Sequence, residues 1–223
     1  MSVADDLGLV TITDPLSPIS EAYRTLRINL QFATLGVQLR TLLVTSAGAG
    51  EGKSTTLANL AVIVAQTEQS VVVVDCDLRR PGLHKLFGLS NELGLTTMMA
   101  DDHALDEPPL QPTEVDGLRL LASGPLPARP PDLLGSRRMD RVIEKLLGEA
   151  DLVILDAPPI MAATDALVLS TKVDGVLLVA SAGTTKREQA QRAVERLNKV
   201  NARLVGAVLT NVPLDATVRA YYA

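Results

Sequence analysis

The ten residues Ser46-Ala47-Gly48-Ala49-Gly50-Glu51-Gly52-Lys53-Ser54-Thr55 place three glycines ahead of a lysine and two hydroxyls, an order suited to holding phosphate. Glycines let backbone N–H groups curl round phosphate oxygens, and Lys53 is placed to reach the β and γ phosphates. Ser54 offers an oxygen to Mg2+, and a helix opening at this point adds its dipole. Ala47 stands where the simplest pattern has its first glycine, so the cradle runs through Gly48, Ala49, Gly50, Glu51, Gly52, Lys53, Ser54 and Thr55. A glycine-rich turn with an ordinary surface lysine has the same composition. The strand read before this loop and the helix read after it favour nucleotide binding.

Carboxylates end two further apolar runs. Val71 to Val74 leads into Asp75-Cys76-Asp77, and Leu152 to Leu155 leads into Asp156-Ala157-Pro158-Pro159. Strand alternation places Asp75 and Asp77 on the face opposite Cys76, which reads as a small core residue. Any one of these aspartates alone would pass for a cap or a turn former. Three beside a phosphate loop suit a hydrated Mg2+ and a general base.

The elements that must position these groups follow from periodicity. Tyr23, Leu26, Leu30 and Ala33 predict a helix over 20–34, with Glu21 in its first turn. Strands are predicted over 41–45, 70–75, 119–121, 152–156, 175–179 and 204–210, and helices over 54–66, 132–147 and 186–200. Short helical pieces fit 84–87 and 96–100, while 101–116, with six acidic residues and no Lys or Arg, reads as a surface insertion. Strands separated by helical crossovers imply an α/β fold: a doubly wound, mainly parallel sheet with helices on both faces and ligands at the carboxyl ends of the strands. The chain divides into an irregular lead-in over 1–19, one domain over 20–213 and a flexible tail over 214–223.

Composition narrows the class. With 223 residues, 47% of them hydrophobic but only two Phe, three Tyr and no Trp, the core must be aliphatic. A single cysteine excludes an internal disulfide, and neither a signal peptide nor an uninterrupted apolar span is visible, so the reading is cytoplasmic. A net charge of −5 with so few aromatics argues against nucleic acid as a partner. A guanine-specific switch would carry Asn-Lys-x-Asp after a late strand, where this chain has Thr210-Asn211-Val212-Pro213-Leu214. Deviant ATPases that segregate chromosomes or position septa carry a second loop lysine, where this chain has Gly48.

Glu21-Ala22-Tyr23-Arg24-Thr25-Leu26-Arg27, the phosphate loop, Asp75-Cys76-Asp77-Leu78-Arg79-Arg80-Pro81, Asp156-Ala157-Pro158-Pro159 and Tyr221-Tyr222 together resemble the bacterial tyrosine kinases of capsule and exopolysaccharide synthesis. The likeness spans about 17–213. It implies an ATP- and Mg2+-dependent kinase that phosphorylates Tyr221 and Tyr222 of a neighbouring subunit within a homo-oligomeric ring. It gives Lys53 and Ser54 the phosphate and metal roles, with Asp77 and Asp156 completing the metal set. The general base is left open among Asp75, Asp77 and Asp156. It also implies subunit contacts at Glu21, Arg24 and Arg27, against the plainer reading of an exposed intrahelical pair. Asn211 is placed either as a ligand of the adenine edge or as a turn former. A separate membrane adaptor of the polysaccharide chain-length type is the implied activator, which would hold the kinase at the inner face of the membrane.

The chain departs from that family at three places. Ala49 replaces a loop proline, Pro127-Ala128-Arg129-Pro130 replaces a Pro-Pro-Asn-Pro turn, and two tyrosines stand in place of a longer cluster. Tyr23 is a weaker acceptor, since its spacing puts it on a buried face. The rival reading is an ATP-driven partitioning or localisation switch without tyrosine kinase activity, and the missing loop lysine counts against it.

Overall fold

Runs of four or five Val, Leu and Ile residues can be buried only where both faces of a sheet are covered. That is the arrangement in the computed structural model, which describes residues 9–213 apart from 35 and 37. The tail with Tyr221 and Tyr222, and residues 1–8, lie outside the described residues. In chain order the elements begin with α1 (Val10–Thr13), α2 (Pro18–Ala33), β1 (Thr41–Ser46), α3 (Lys53–Ala65) and β2 (Val71–Asp75). A more broken stretch holds α4 (Leu83–Leu86), α5 (Leu95–Ala100), α6 (Asp102–Asp106), β3 (Gln111–Pro112) and β4 (Leu118–Leu121). The remainder is α7 (Pro130–Gly135), α8 (Arg137–Leu147), β5 (Leu152–Asp156), α9 (Asp165–Ser170), β6 (Gly175–Ser181), α10 (Arg187–Lys199) and β7 (Leu204–Thr210).

The sheet has the order β3-β4-β2-β5-β1-β6-β7, and every pairing is parallel except that of β3 with β4. Alternation divides the strand side chains between two cores. Leu42, Val44, Val71, Val73 and Ile154 pack on the face of α3, whereas Leu43, Val72, Val74, Val153 and Leu155 pack on the opposite face with residues of α8 and α10. Cys76 belongs to the second core, so the parity that separates it from Asp75 is that expected of an extended chain. α3 is buried at every position from Thr56 to Ala65 because the sheet covers one side and α2 the other.

Four expectations need correction. The lead-in over 1–19 contains α1, whose Thr11 donates through both its N–H and its hydroxyl to Asn59 Oδ1 of α3, at 3.0 and 2.9 Å. The first helix begins at Pro18 rather than 20, because Ser17 caps it by accepting from Ser20 N–H and Pro18 fits its first turn. The helix over 132–147 is two helices, broken where Ser136 takes an extended conformation. The acidic stretch 101–116 contributes α6 and β3, and its Leu105 is buried in the core. α9, with six residues, is too short to leave a readable period and was not anticipated.

Candidate active site

Parallel pairing in register decides which side chains meet. Asp75 and Asp156, the last residues of β2 and β5, are direct register partners, and Asp156 also faces Val44 of β1. Two residues beyond Val44, β1 ends at Ser46 and the chain turns through the glycine loop into α3. Gly50 and Gly52 adopt φ of +74° and +85°, in the left-handed region open to glycine at little cost. That conformation curls the backbone and lets α3 start at Lys53 with its amino end over the strand termini.

Lys53 is the centre of the cluster. Its Nζ lies 3.1 Å from Asp77 Oδ2 and 3.1 Å from Asp156 Oδ1, and it also donates to Ser54 Oγ at 3.1 Å. Ser54 Oγ in turn donates to Asp156 Oδ2 at 2.5 Å. The lysine and both carboxylates are almost completely shielded from water. Burial alone would lower the pKa of Lys53, but the charges of Asp156 and Asp77 outweigh it and raise it above the ordinary value. Burial pushes Asp156 up, against the opposing pull of Lys53 and the Ser54 hydroxyl.

Asp75 sits differently from the other two. Its Oδ2 accepts from the N–H groups of Gly82 and Leu83 at 2.9 and 3.0 Å, and its Oδ1 accepts from Asp77 N–H at 3.2 Å. Burial, and then the nearby charge of Asp156, push it up to about 7 against those amides and Lys53. Its carboxylate therefore braces the loop that carries Asp77. Asp77 itself accepts from Arg80 N–H through Oδ1 and meets Lys53 through Oδ2.

The donor set fits Mg2+ of the phosphate-bound kind. A hydroxyl and two carboxylates offer hard oxygens to one small volume, leaving the rest of an octahedral shell to phosphate and water. Among the described residues no group of three or more His, Cys, Asp or Glu forms an all-protein metal cage.

Glu51 points away from this volume. Its Oε1 accepts from the Thr185 hydroxyl, its backbone carbonyl accepts from Thr210 Oγ1 at 2.9 Å, and its Oε2 is buried without a hydrogen-bond partner among the described residues. Of the cradle residues, Glu51 thus anchors the loop to Thr185, beyond β6, and to Thr210 at the end of β7. A Cβ at Gly48 would lie 2.7 Å from Gln189 Nε2 and 3.0 Å from Glu51 Oε1, so a side chain there would have to displace the Gln189 amide. Ala49 and Thr55 stay on the cradle, with Thr55 in the first turn of α3. Asn211 takes φ of +57° and donates to Ser181 Oγ at 2.8 Å, the turn-forming arrangement.

Away from this cluster, Glu21 and Arg24 form a half-exposed ion pair, and Arg24 also donates to the Pro15 carbonyl at 2.8 Å. Arg27 keeps its Nε buried without a partner among the described residues, beside a cavity of about 530 Å³ between α2, α3 and the amino ends of β1 and β5. Tyr23 is half-buried, and burial pushes its phenol above its ordinary value. Sequence reasoning missed Thr185, Gln189 and the Arg79–Asp165 ion pair. Thr185 and Gln189 follow the carboxyl end of β6, and the rule that ligands gather at strand ends could have flagged them.

Comparison with known proteins agrees with this geometry. A profile of the ParA family, described as a NUBPL iron-transfer P-loop NTPase, matches residues 38–214. The tyrosine-protein kinase YwqD of Bacillus subtilis (strain 168) is 40% identical over 93% of this chain and 87% of its own length. The putative tyrosine-protein kinase CapB of Staphylococcus aureus is 33% identical over 93% of this chain and 91% of its own. The solved kinase domain of Escherichia coli tyrosine kinase ETK superposes with a TM-score of 0.88 at 33% identity, covering 94% of this chain and 82% of that domain.

Proposed function

The chain belongs to the bacterial tyrosine-protein kinases, with the P-loop NTPase fold of the ParA family, and from that premise we propose that it uses ATP and Mg2+ to phosphorylate Tyr221 and Tyr222 of a neighbouring copy. The observation that carries this reading is the convergence of Lys53, Ser54, Asp77 and Asp156 at the carboxyl ends of β1, β2 and β5. Mg2+ supplies charge neutralisation across the phosphates when bound. The loop amides and Lys53 hold the phosphates in line, and Ser54 and Asp156 hold the ion. The tyrosine oxygen forms a bond to the γ phosphorus as the bond to the bridging oxygen of ADP breaks. Asp77 would be the third protein ligand of the ion, and as the most exposed of the three aspartates, 5% against 0% for Asp75 and Asp156, it is the carboxylate placed to take the phenolic proton.

In this reading the copies form a ring in which Glu21, Arg24 and Arg27 contact the next subunit, and tail phosphorylation regulates capsular or exopolysaccharide synthesis. A membrane adaptor of the chain-length type recruits and activates the kinase. Among the described residues no helix is long and apolar enough to cross a membrane. Two other readings are weaker. Iron transfer would need several thiolates, and the chain has one cysteine, buried in the core. A partitioning switch would need a lysine at the position of Gly48, which this chain lacks.

The deciding experiment incubates full-length protein with ATP, Mg2+ and candidate adaptor tails, and maps phosphate by mass spectrometry. Phosphotyrosine at Tyr221 or Tyr222, absent from Lys53→Met and from Tyr221→Phe/Tyr222→Phe, is the expected result. ATP hydrolysis with no phosphotyrosine under any of these conditions would favour the switch.

A further inference from the structure

Arg79 and Asp165 lie 86 positions apart in sequence and form a two-pronged ion pair, Nε to Oδ2 at 2.7 Å and one terminal nitrogen to Oδ1 at 3.1 Å. Asp165 is completely buried at the first turn of α9, whereas the Arg79 side chain is 45% exposed. Arg79 is two residues past Asp77, inside the turn in which Asp77 accepts from Arg80 N–H. Asp165 is nine residues past Asp156, where the chain after β5 enters α9. The pair therefore ties together the two segments that leave β2 and β5 immediately after the site aspartates. Asp75 braces the same loop through the Gly82 and Leu83 amides, so the turn carrying Asp77 is held on both sides.

We infer that Asp165 is a positioning residue for the magnesium-nucleotide site, acting through Arg79 to hold Asp77 where it meets the ion; this rests on the role proposed for Asp77. A planar guanidinium gripped at two points fixes the direction as well as the position of the backbone behind it, which a point charge does not. Surface location does not explain the pair. A fully buried carboxylate incurs a desolvation cost that a mere surface staple would avoid.

The test is nucleotide binding, which does not require turnover. ADP affinity of the full chain is measured by titration with and without Mg2+, alongside thermal melting. In the wild type, Mg2+ should tighten ADP binding, and Asp77→Asn should abolish that gain. Asp165→Asn should cut the Mg2+-dependent gain about tenfold while leaving affinity in EDTA within about twofold, since losing a group that orients a metal ligand typically costs 10–100-fold. Arg79→Lys, which keeps the charge on a half-exposed side chain and so preserves folding, should lose part of the gain. Arg79→Met/Asp165→Leu should melt near the wild type but bind ADP with Mg2+ as poorly as Asp165→Asn. If Asp165→Asn and Arg79→Lys keep the full gain while Asp77→Asn loses it, the pair is only structural and the inference falls, with the role of Asp77 intact. If Asp77→Asn also keeps the gain, both fall.

Discussion

Replacing Lys53 by Met removes, among the described residues, the only cation within contact of two buried carboxylates, and the consequence is set by the geometry. Asp77 and Asp156 each lie 3.1 Å from Nζ, and their side chains are only 7% and 1% exposed. At an effective dielectric of about 20, each contact is worth roughly 5 kcal/mol of Coulomb energy before desolvation is subtracted. Breaking such a buried pair from one side leaves a net loss of about 3–5 kcal/mol. For a domain of this size that corresponds to a fall in Tm of roughly 6–20 °C. The loss should depend on pH in a definite direction. Burial already raises Asp156, and without Lys53 its folded-state pKa rises further above the unfolded value. The folded variant then binds a proton more readily than its unfolded chain, so its stability recovers as pH falls towards that unfolded value. The variant's deficit should be larger at pH 8 than at pH 5, and millimolar Mg2+ at pH 8 should narrow it. Thermal melts of nucleotide-free wild type and Lys53→Met at both pH values, with and without Mg2+, measure all three effects. An unchanged Tm, or a deficit equal at pH 5 and pH 8, would refute the view that Lys53 neutralises this pair.

Three further outcomes are expected. Asp75, pushed up from 3.8 to about 7, makes its contribution to stability in full below pH 3.8 and loses it as pH rises through 7, with no further change above. The integrated effect is on the order of 4 kcal/mol, and Asp75→Asn should flatten the slope of denaturant midpoints between pH 4.5 and 7; an unaltered slope would count against it. Gly48→Lys should destabilise the fold by about 1–3 kcal/mol through crowding against Gln189 and Glu51. Adding Gln189→Ala should recover part of that in chemical denaturation, and no recovery would mean the crowding lies elsewhere. Asn59→Ala strips the acceptor from Thr11 N–H and its hydroxyl, costing about 1–3 kcal/mol. Hydrogen exchange should locate the loss in α1 and the facing turn of α3, and uniform deprotection across the sheet would contradict it.

Local chemistry made much of this protein readable in advance. Continuous runs of Val, Leu and Ile located the central strands, and the glycine spacing located the phosphate loop between β1 and α3. The parity of Asp75-Cys76-Asp77 foretold that Cys76 would turn into the core away from the aspartates. Each of these depends on residues a few positions apart, where backbone geometry dictates the outcome. The short α9, the break at Ser136 and the docking of α1 escaped the same reasoning because they depend on capping and packing over too few residues to show a period.

The scarcity of aromatic residues determined an aliphatic, doubly covered sheet, and the motif residues determined a phosphate site with acidic neighbours. The division of labour within that site belongs to the tertiary structure. Three aspartates with similar local surroundings part company because the strand order β2-β5-β1 sets Asp156 beneath Lys53, while the turn after β2 carries Asp77 back to the same ammonium and leaves Asp75 to the amides of Gly82 and Leu83. Glu51 turns inward to Thr185, 134 positions away, and Arg79 finds Asp165 across 86. Such pairings follow from which strands lie side by side and in what register, and that is decided by burial of the whole sheet rather than by any short run of residues.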